Sequence, residues 1–203
     1  MKHRPLVFLD MHINPYAIWS NSGGASNVPS VHGALPFGAD PPASNLIIFS
    51  FTAFNPSILN CTVIRGQSTY LHFAVTTDAA IPGYTAVNNA DGKPIALIEW
   101  KEPPLVEIRN VFAKQRVSDW LPLSADASHR TMRVNEQNYF WKPQKTAICL
   151  YPAGKPPSEL LARISRRQDG TVCLEITAAA ITDGLLETCV VATVLLQCGH
   201  KID

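Results

Sequence analysis

Charge is what this chain has least of. Only 16% of its 203 residues are Asp, Glu, Lys or Arg, and 17 basic against 16 acidic residues leave a formal net charge of +1. Nucleic-acid binders carry a basic excess, so no nucleic-acid partner is expected. The five cysteines are an odd number without paired spacing, which argues against a disulfide framework. Cys61, Cys149, Cys173, Cys189 and Cys198 sit in apolar runs and read as small buried hydrophobes. His72, His129 and His200 have no partners at i+2 or i+4, and no Cys/His cluster has zinc spacing, so neither metal nor cofactor is expected. Near the N-terminus the apolar patch runs only from Leu6 to Leu9 before Asp10, too short for the core of a signal peptide. With the unpaired cysteines, this makes a reducing intracellular compartment, the cytoplasm, the expected location, with peripheral membrane association still open.

A membrane span is missing as well. The longest apolar stretch, Ile181 to Cys198, is interrupted by Asp183, Glu187 and Gln197, whereas spanning takes about 20 apolar residues. About 15 helical residues at 1.5 Å each cover about 22 Å, the inside of a small barrel rather than a bilayer. The stretch reads as a helix over about 183–198, apolar almost all round, capped by Thr182 or Asp183 and ended by Gly199. Such a helix cannot lie on a surface, so the rest of the fold must cover it.

Most of what precedes it reads as strands. The chain divides near residue 45. Residues 1–44 are rich in Pro, Gly, Ser and Asn and show no periodicity, so they read as a mostly disordered leader. Two apolar islands stand in it: Tyr16, Ile18 and Trp19, then Leu35, Pro36 and Phe37. They have the form of docking motifs for a partner or for the domain itself, and the plainer reading, incidental aromatics, stands beside it. From residue 45 to 203, runs rich in β-branched and aromatic residues alternate with turn signals. Strands are expected at Leu46–Phe54, Cys61–Ile64, Tyr70–Thr76, Tyr84–Val87, Ile95–Trp100, Leu105–Ile108, Thr131–Val134, Asn138–Lys142, Ala147–Tyr151, Leu160–Arg166 and Val172–Ile176. Val117–Leu121 reads as a short strand or a turn. This spacing fits a barrel or a sandwich.

At this point the residues resemble a family of uncharacterised fungal proteins, domain of unknown function 6593. The resemblance is carried by Phe51-Thr52-Ala53-Phe54-Asn55-Pro56, Ala96-Leu97-Ile98-Glu99-Trp100, Val106-Glu107-Ile108-Arg109 and Ala162-Arg163-Ile164-Ser165-Arg166. Gly184-Leu185-Leu186-Glu187 and Ala192-Thr193-Val194-Leu195-Leu196-Gln197 complete it, with Gly33-Ala34-Leu35-Pro36 in the leader. More remotely the layout is similar to the tubby-like superfamily, with phospholipid scramblases and LURP-one-related proteins. The resemblance implies a mostly-β domain: a closed antiparallel barrel of about twelve strands around a buried C-terminal helix. It implies no activity, since fold alone does not specify one.

Candidate chemistry is sparse. Arg163, Arg166 and Arg167, with Lys155 upstream, form the densest basic group. Arg130 and Arg133, or Lys142 and Lys145, would widen it into a patch able to hold a phosphate headgroup. An ordinary solvated strand surface is the plainer reading. In Tyr139-Phe140-Trp141, alternation sends Phe140 one way and its neighbours the other. Core packing is the expected role, and an exposed Tyr139 or Trp141 would serve as a membrane anchor. Glu99 and Glu107 read as outward-facing, the alternative being a lumen carboxylate with shifted titration. Ser128, His129 and Asp126 make a triad only on paper, and Asn60-Cys61-Thr62 matches a glycosylation acceptor only formally. A non-catalytic binding module for an anionic lipid headgroup or a protein partner is therefore the first expectation. A carrier or motif-less enzyme, with space beside Ala178, Ala179, Ala180 and Ala192, is the second, and a scramblase-like membrane protein the third.

Overall fold

The computed structural model describes residues 46–66, 68–78, 80–81, 83–154 and 159–203. The leader with its islands, and Lys155, lie outside the described residues. The strands are β1 (Leu46–Thr52), β2 (Cys61–Arg65), β3 (Leu71–Thr77), β4 (Tyr84–Asn89), β5 (Pro94–Glu99), β6 (Leu105–Ile108) and β7 (Phe112–Arg116). After the short helix α1 (Val117–Trp120) come β8 (Arg130–Val134), β9 (Gln137–Pro143), β10 (Ala147–Pro152), β11 (Ala162–Arg166) and β12 (Val172–Thr177). Helices α2 (Ala178–Thr182) and α3 (Leu186–Gln197) follow.

The twelve strands form one antiparallel sheet in the order β7-β6-β5-β4-β3-β2-β1-β12-β11-β10-β9-β8. Period-two alternation explains its inner face: Phe49 and Phe51, Val63, Phe73 and Val75, Ile98, Val106 and Ile108, Trp141, Leu150, Ile164 and Leu174 are all buried. They share one apolar core with α3. Every residue of α3 except Glu187 is buried, so the helix has no exposed stripe. Burying a Val or Leu side chain is worth about 1.5–3 kcal/mol. An all-round apolar helix therefore rewards a sheet that covers it on every side.

Two expectations about this helix need correcting. The apolar stretch forms two helices, because Gly184 adopts φ +77° between them, a conformation that disfavours side chains. Neither Thr182 nor Asp183 caps α3, whose N-cap position is Leu185, with no side-chain cap. The cap sits earlier: Thr177 Oγ1 accepts a hydrogen bond from the Ala180 amide at the start of α2, at 3.1 Å. Gly199, with φ +74°, does follow the end of α3.

The expected closed barrel also needs correcting. Among the described residues no hydrogen-bonded ladder joins β7 to β8, so the sheet has two edges. The reason is local, since Val117–Trp120 forms a helix where a strand or turn was expected, and this helix touches both edges. Trp120, 2% exposed, packs its ring 5.1 Å from Phe112 of β7 and donates from Nε1 to the Arg133 carbonyl of β8 at 3.3 Å. A side chain spans the seam that backbone pairing leaves open.

Because successive strands run up and down, hairpin tips alternate between two ends. One end gathers tips 66–70, 90–93, 109–111 and 135–136 with the start of α3; the other gathers tips 144–146 and 167–171, α1 and the end of α3. The first end is called the mouth below.

Val190 is 0% exposed in the middle of α3. Val190→Asp is expected to leave an uncompensated buried charge, costing about 3–5 kcal/mol, and to abolish cooperative thermal unfolding followed by circular dichroism. A soluble variant with the parent melting curve would mean that α3 is not enclosed.

Candidate functional site

Three hairpins frame the mouth on one side, and each carries an irregularity next to its tip. The register shifts at Val63/Ile64 between β2 and β3, at Val87/Asn88 between β4 and β5, and at Val106/Ile108 between β6 and β7. The ladders from β8 to β12 run without a shift. A bulge bends its strand and re-aims a side chain. The first shift leaves His72 as the extra residue, its ring 5.1 Å from Phe49 and 4.8 Å from Phe73. Burial first, and the Arg65 charge second, lower the proton affinity of His72, while Glu187 works in the opposite direction.

Between the second and third tips lies a cleft of about 420 Å³, lined by Asn89, Lys93, Pro94, Ile95, Arg109, Asn110, Val111 and Glu187. Its polar and apolar sides follow from the local sequence. Asn89 Oδ1 accepts from the backbone amides of Asp91 and Lys93, at 3.1 and 2.9 Å, which shapes the turn, and Lys93 is exposed. Asn110 takes φ +62° at the next tip, between Arg109 and Val111. Glu187 comes from the first turn of α3. Among the described residues, no ion pair or side-chain hydrogen bond engages Lys93, Arg109 or Glu187. Arg109 also borders two adjoining clefts, one around the β6–β7 tip and one over Ala86 and Leu97 on the outer sheet face.

Across the mouth a second cleft, about 320 Å³, is lined by Gln137, Asn138, Tyr139, Glu159 and Asp183 among others. Tyr139 donates to Gln137 Oε1 at 3.0 Å, and burial followed by the Asp183 charge pushes its hydroxyl above the ordinary range.

The sequence-derived basic patch does not assemble in one place. Arg163 of β11 pairs with Glu175, its cross-strand neighbour on β12. Arg166 and Arg167 are exposed at the far end, beside the 167–171 tip. Arg133 is exposed at the mouth end of β8, three strands away from β11, or roughly 14 Å at about 4.8 Å per strand. Arg130 is no surface residue: it is 0% exposed, donating to Asp203 at 2.9 and 2.5 Å and to the Leu121 carbonyl at 2.9 Å. Tyr139 and Trp141 are not anchors either, at 7% and 0% exposure, because the strand's inward parity falls on them. Phe140 takes the outward side, with His129 at 4.7 Å and the Lys142 ammonium at 5.7 Å.

The remaining candidates resolve individually. Ser128 Oγ and His129 Nδ1 lie 2.9 Å apart, but Asp126 accepts from Ser124 Oγ and the Ser128 amide rather than from the imidazole. Among the described residues no carboxylate orients the histidine, so the triad is not built there. Asn60 Oδ1 accepts from the Thr77 amide at 2.8 Å and serves the fold. All five cysteines are free, four of them buried, and burial pushes the Cys61 thiol up to about 12. Glu99 departs from the solvated outward reading: it is 3% exposed, beneath Lys101, Lys114 and Tyr84. The Lys101 ammonium first, then the Tyr84 hydroxyl, hold its carboxyl at about 2.

Sequence reasoning missed Lys93, Arg109 and Glu187 as a group. They come from three distant segments, and the signal lies only in hairpin tips that fold side by side.

Two outcomes follow from the paired charges. A glutamate titrates near 4.3 in an unfolded chain, so the depressed Glu99 contributes stability that is complete above about pH 4.3 and lost as pH falls toward about 2. The melting temperature is expected to drop across that window, and Glu99→Gln to flatten the drop. Asp126, also held at about 2, supplies the control variant Asp126→Asn. An unchanged slope in Glu99→Gln would refute the assignment. Asp203→Asn removes an acceptor of a fully buried guanidinium, although the Asp203 side chain is itself 43% exposed. It is expected to cost about 1–3 kcal/mol in denaturant unfolding, with little dependence on salt.

Curated protein sequences provide no match. Among solved structures, the chain is similar to a protein from Arabidopsis thaliana determined by X-ray crystallography, at 11% identity and a TM-score of 0.38. The alignment covers 71% of this chain and 90% of that one. Residues 56–200, well over half of the sequence, match the Family of unknown function (DUF6593), and the chain belongs to that family.

Proposed function

We propose that this chain is an intracellular, non-catalytic binding module of the fungal, tubby-like kind its sequence resembles, and that it seats an anionic group of a lipid or protein partner in the mouth cleft. The observation that carries this reading is that Lys93 and Arg109 have no ion pair or side-chain hydrogen bond among the described residues. By contrast, Arg130 and Asp203, Arg163 and Glu175, and the Glu99 cluster are paired. Two cations left open in a concave site, one of them a guanidinium, suit a phosphate or carboxylate, which they can hold through several charge-assisted hydrogen bonds. Free cysteines support a reducing compartment.

The barrel belongs to the same proposal. The sheet wraps α3 and its seam is closed by side chains; what supports this is a helix without an exposed face and the Trp120 contacts to both edges. The carrier reading has less support. Ala180 and Ala192 are both 0% exposed, and neither borders any cleft described above. The scramblase-like reading needs a helix that crosses the membrane. Among the described residues no helix is long and apolar enough to do so.

Co-sedimentation with neutral, phosphatidylserine and phosphoinositide vesicles, at low and physiological salt, tests the seat. Retention on anionic vesicles is expected to fall at least about tenfold when Lys93 and Arg109 are both changed to Ala, the loss of roughly 1.4 kcal/mol. Undiminished retention in that variant overturns the cleft as the seat. No retention of the parent on any vesicle removes the lipid partner and leaves the protein partner.

A further inference from the structure

The mouth cleft combines two features that one ligand would have to match. Pro94, Ile95 and Val111 offer apolar surface, and Lys93 and Arg109 against Glu187 leave an excess of one positive charge. The chain holds a segment with the complementary arrangement. In Leu35-Pro36-Phe37-Gly38-Ala39-Asp40 an apolar trio is followed, three residues on, by a single carboxylate. Three extended residues span about 10 Å, a separation suited to a cleft of about 420 Å³. The other island, Tyr16, Ile18 and Trp19, has no acidic residue within five positions on either side.

Reach is satisfied too. The described chain begins in β1, where Leu46 pairs with Thr177, and α2 and α3 follow directly from Thr177, so residue 46 enters at the mouth. From β1 to the β4–β5 tip is three to four strand spacings, roughly 14–19 Å. Six residues separate Asp40 from Leu46 and nine separate Phe37 from it, enough for up to about 20 and 30 Å of extended chain.

We propose that Leu35–Asp40 of this same chain docks in the mouth cleft, with the Asp40 carboxylate between Lys93 and Arg109 and with Leu35, Pro36 and Phe37 on Pro94, Ile95 and Val111. The leader is then a resident occupant of the seat, and a partner with a stronger anionic group must displace it. This deepens the proposed function by naming what holds the seat in the free protein. It is tested without any partner, so the two can fail separately.

The test compares amide nitrogen–proton spectra of the full chain with those of a Leu35→Ser/Phe37→Ser variant and of Asp40→Asn. Both variants change only positions outside the described residues. The amides of Lys93, Ile95, Asn110 and Val111 are expected to move by several line widths in each variant, identically at high and low protein concentration. Those of Thr76 and Leu97, on the outer face of β3 and β5, are expected to stay. As a second readout, zero-length carbodiimide coupling at low protein concentration is expected to give an Asp40–Lys93 amide in peptide mapping, lost in Lys93→Arg. Unmoved mouth amides overturn the proposal, as do shifts centred on another surface. Shifts that grow with concentration overturn it in favour of a second copy's leader docking in trans.

Discussion

A helix with no polar face is the constraint from which the rest of this structure follows. Left in water, α3 would expose apolar side chains on every side; laid on a sheet, it would still expose half of them. Every residue of α3 except Glu187 is buried, and short strands with inward side chains at every second position supply apolar partners for it. The twelve-stranded meander supplies them, and its inner face merges with the helix in one core. Even the polar residues of α3 conform: Thr188 and Thr193 turn their hydroxyls onto the carbonyls of Leu185 and Cys189, at 2.9 and 2.7 Å. Buried hydroxyls satisfied within the helix cost little, and the apolar surface stays continuous.

The shared core also bears on where function can be. The inner face of the sheet is taken up by the core it shares with α3, so clefts lie among the hairpin tips and on the outer face. The two ends are built differently. At the far end, Arg130, Asp203 and the α1 segment lock together through charge and backbone contacts. At the mouth, bulged hairpins leave open charges around the one solvent-facing residue of the helix, Glu187. A net charge near zero therefore conceals local differences: Arg163 is paired on the wall, while Lys93 and Arg109 stand without an ion pair among the described residues at the mouth.

The sequence made the wall legible because burial imposes a period. Alternation located eleven of the strands, and all-round apolarity located the helix. Strand β7 escaped because Phe112-Ala113-Lys114-Gln115-Arg116 is an edge strand with little to bury, so its pattern is polar. The break at Gly184 escaped because apolar residues continue on both sides of it. The basic patch misled because counting arginines in sequence ignores pairing. Glu175 neutralises Arg163 from the next strand, and Arg130 points inward under the same alternation that buries Trp141. The mouth charges were invisible for the complementary reason: each stands alone in its own hairpin or helix turn, and only tertiary adjacency makes them a group.

The side-chain seam between β7 and β8 has a consequence for how the molecule breathes. Every other pair of neighbouring strands is held by a backbone ladder, whereas β7 and β8 are linked through α1 and the segment after it, by the Trp120 indole and by the Pro122 carbonyl, which accepts from the Thr131 amide at 3.0 Å. Sub-global opening follows the route with the fewest hydrogen bonds to break, so amide exchange would advance inward from β7 and β8 and reach α3 last. In the strand order the ladder between β1 and β2 lies midway between these two edges, so the middle of the wall is the part farthest from where opening starts.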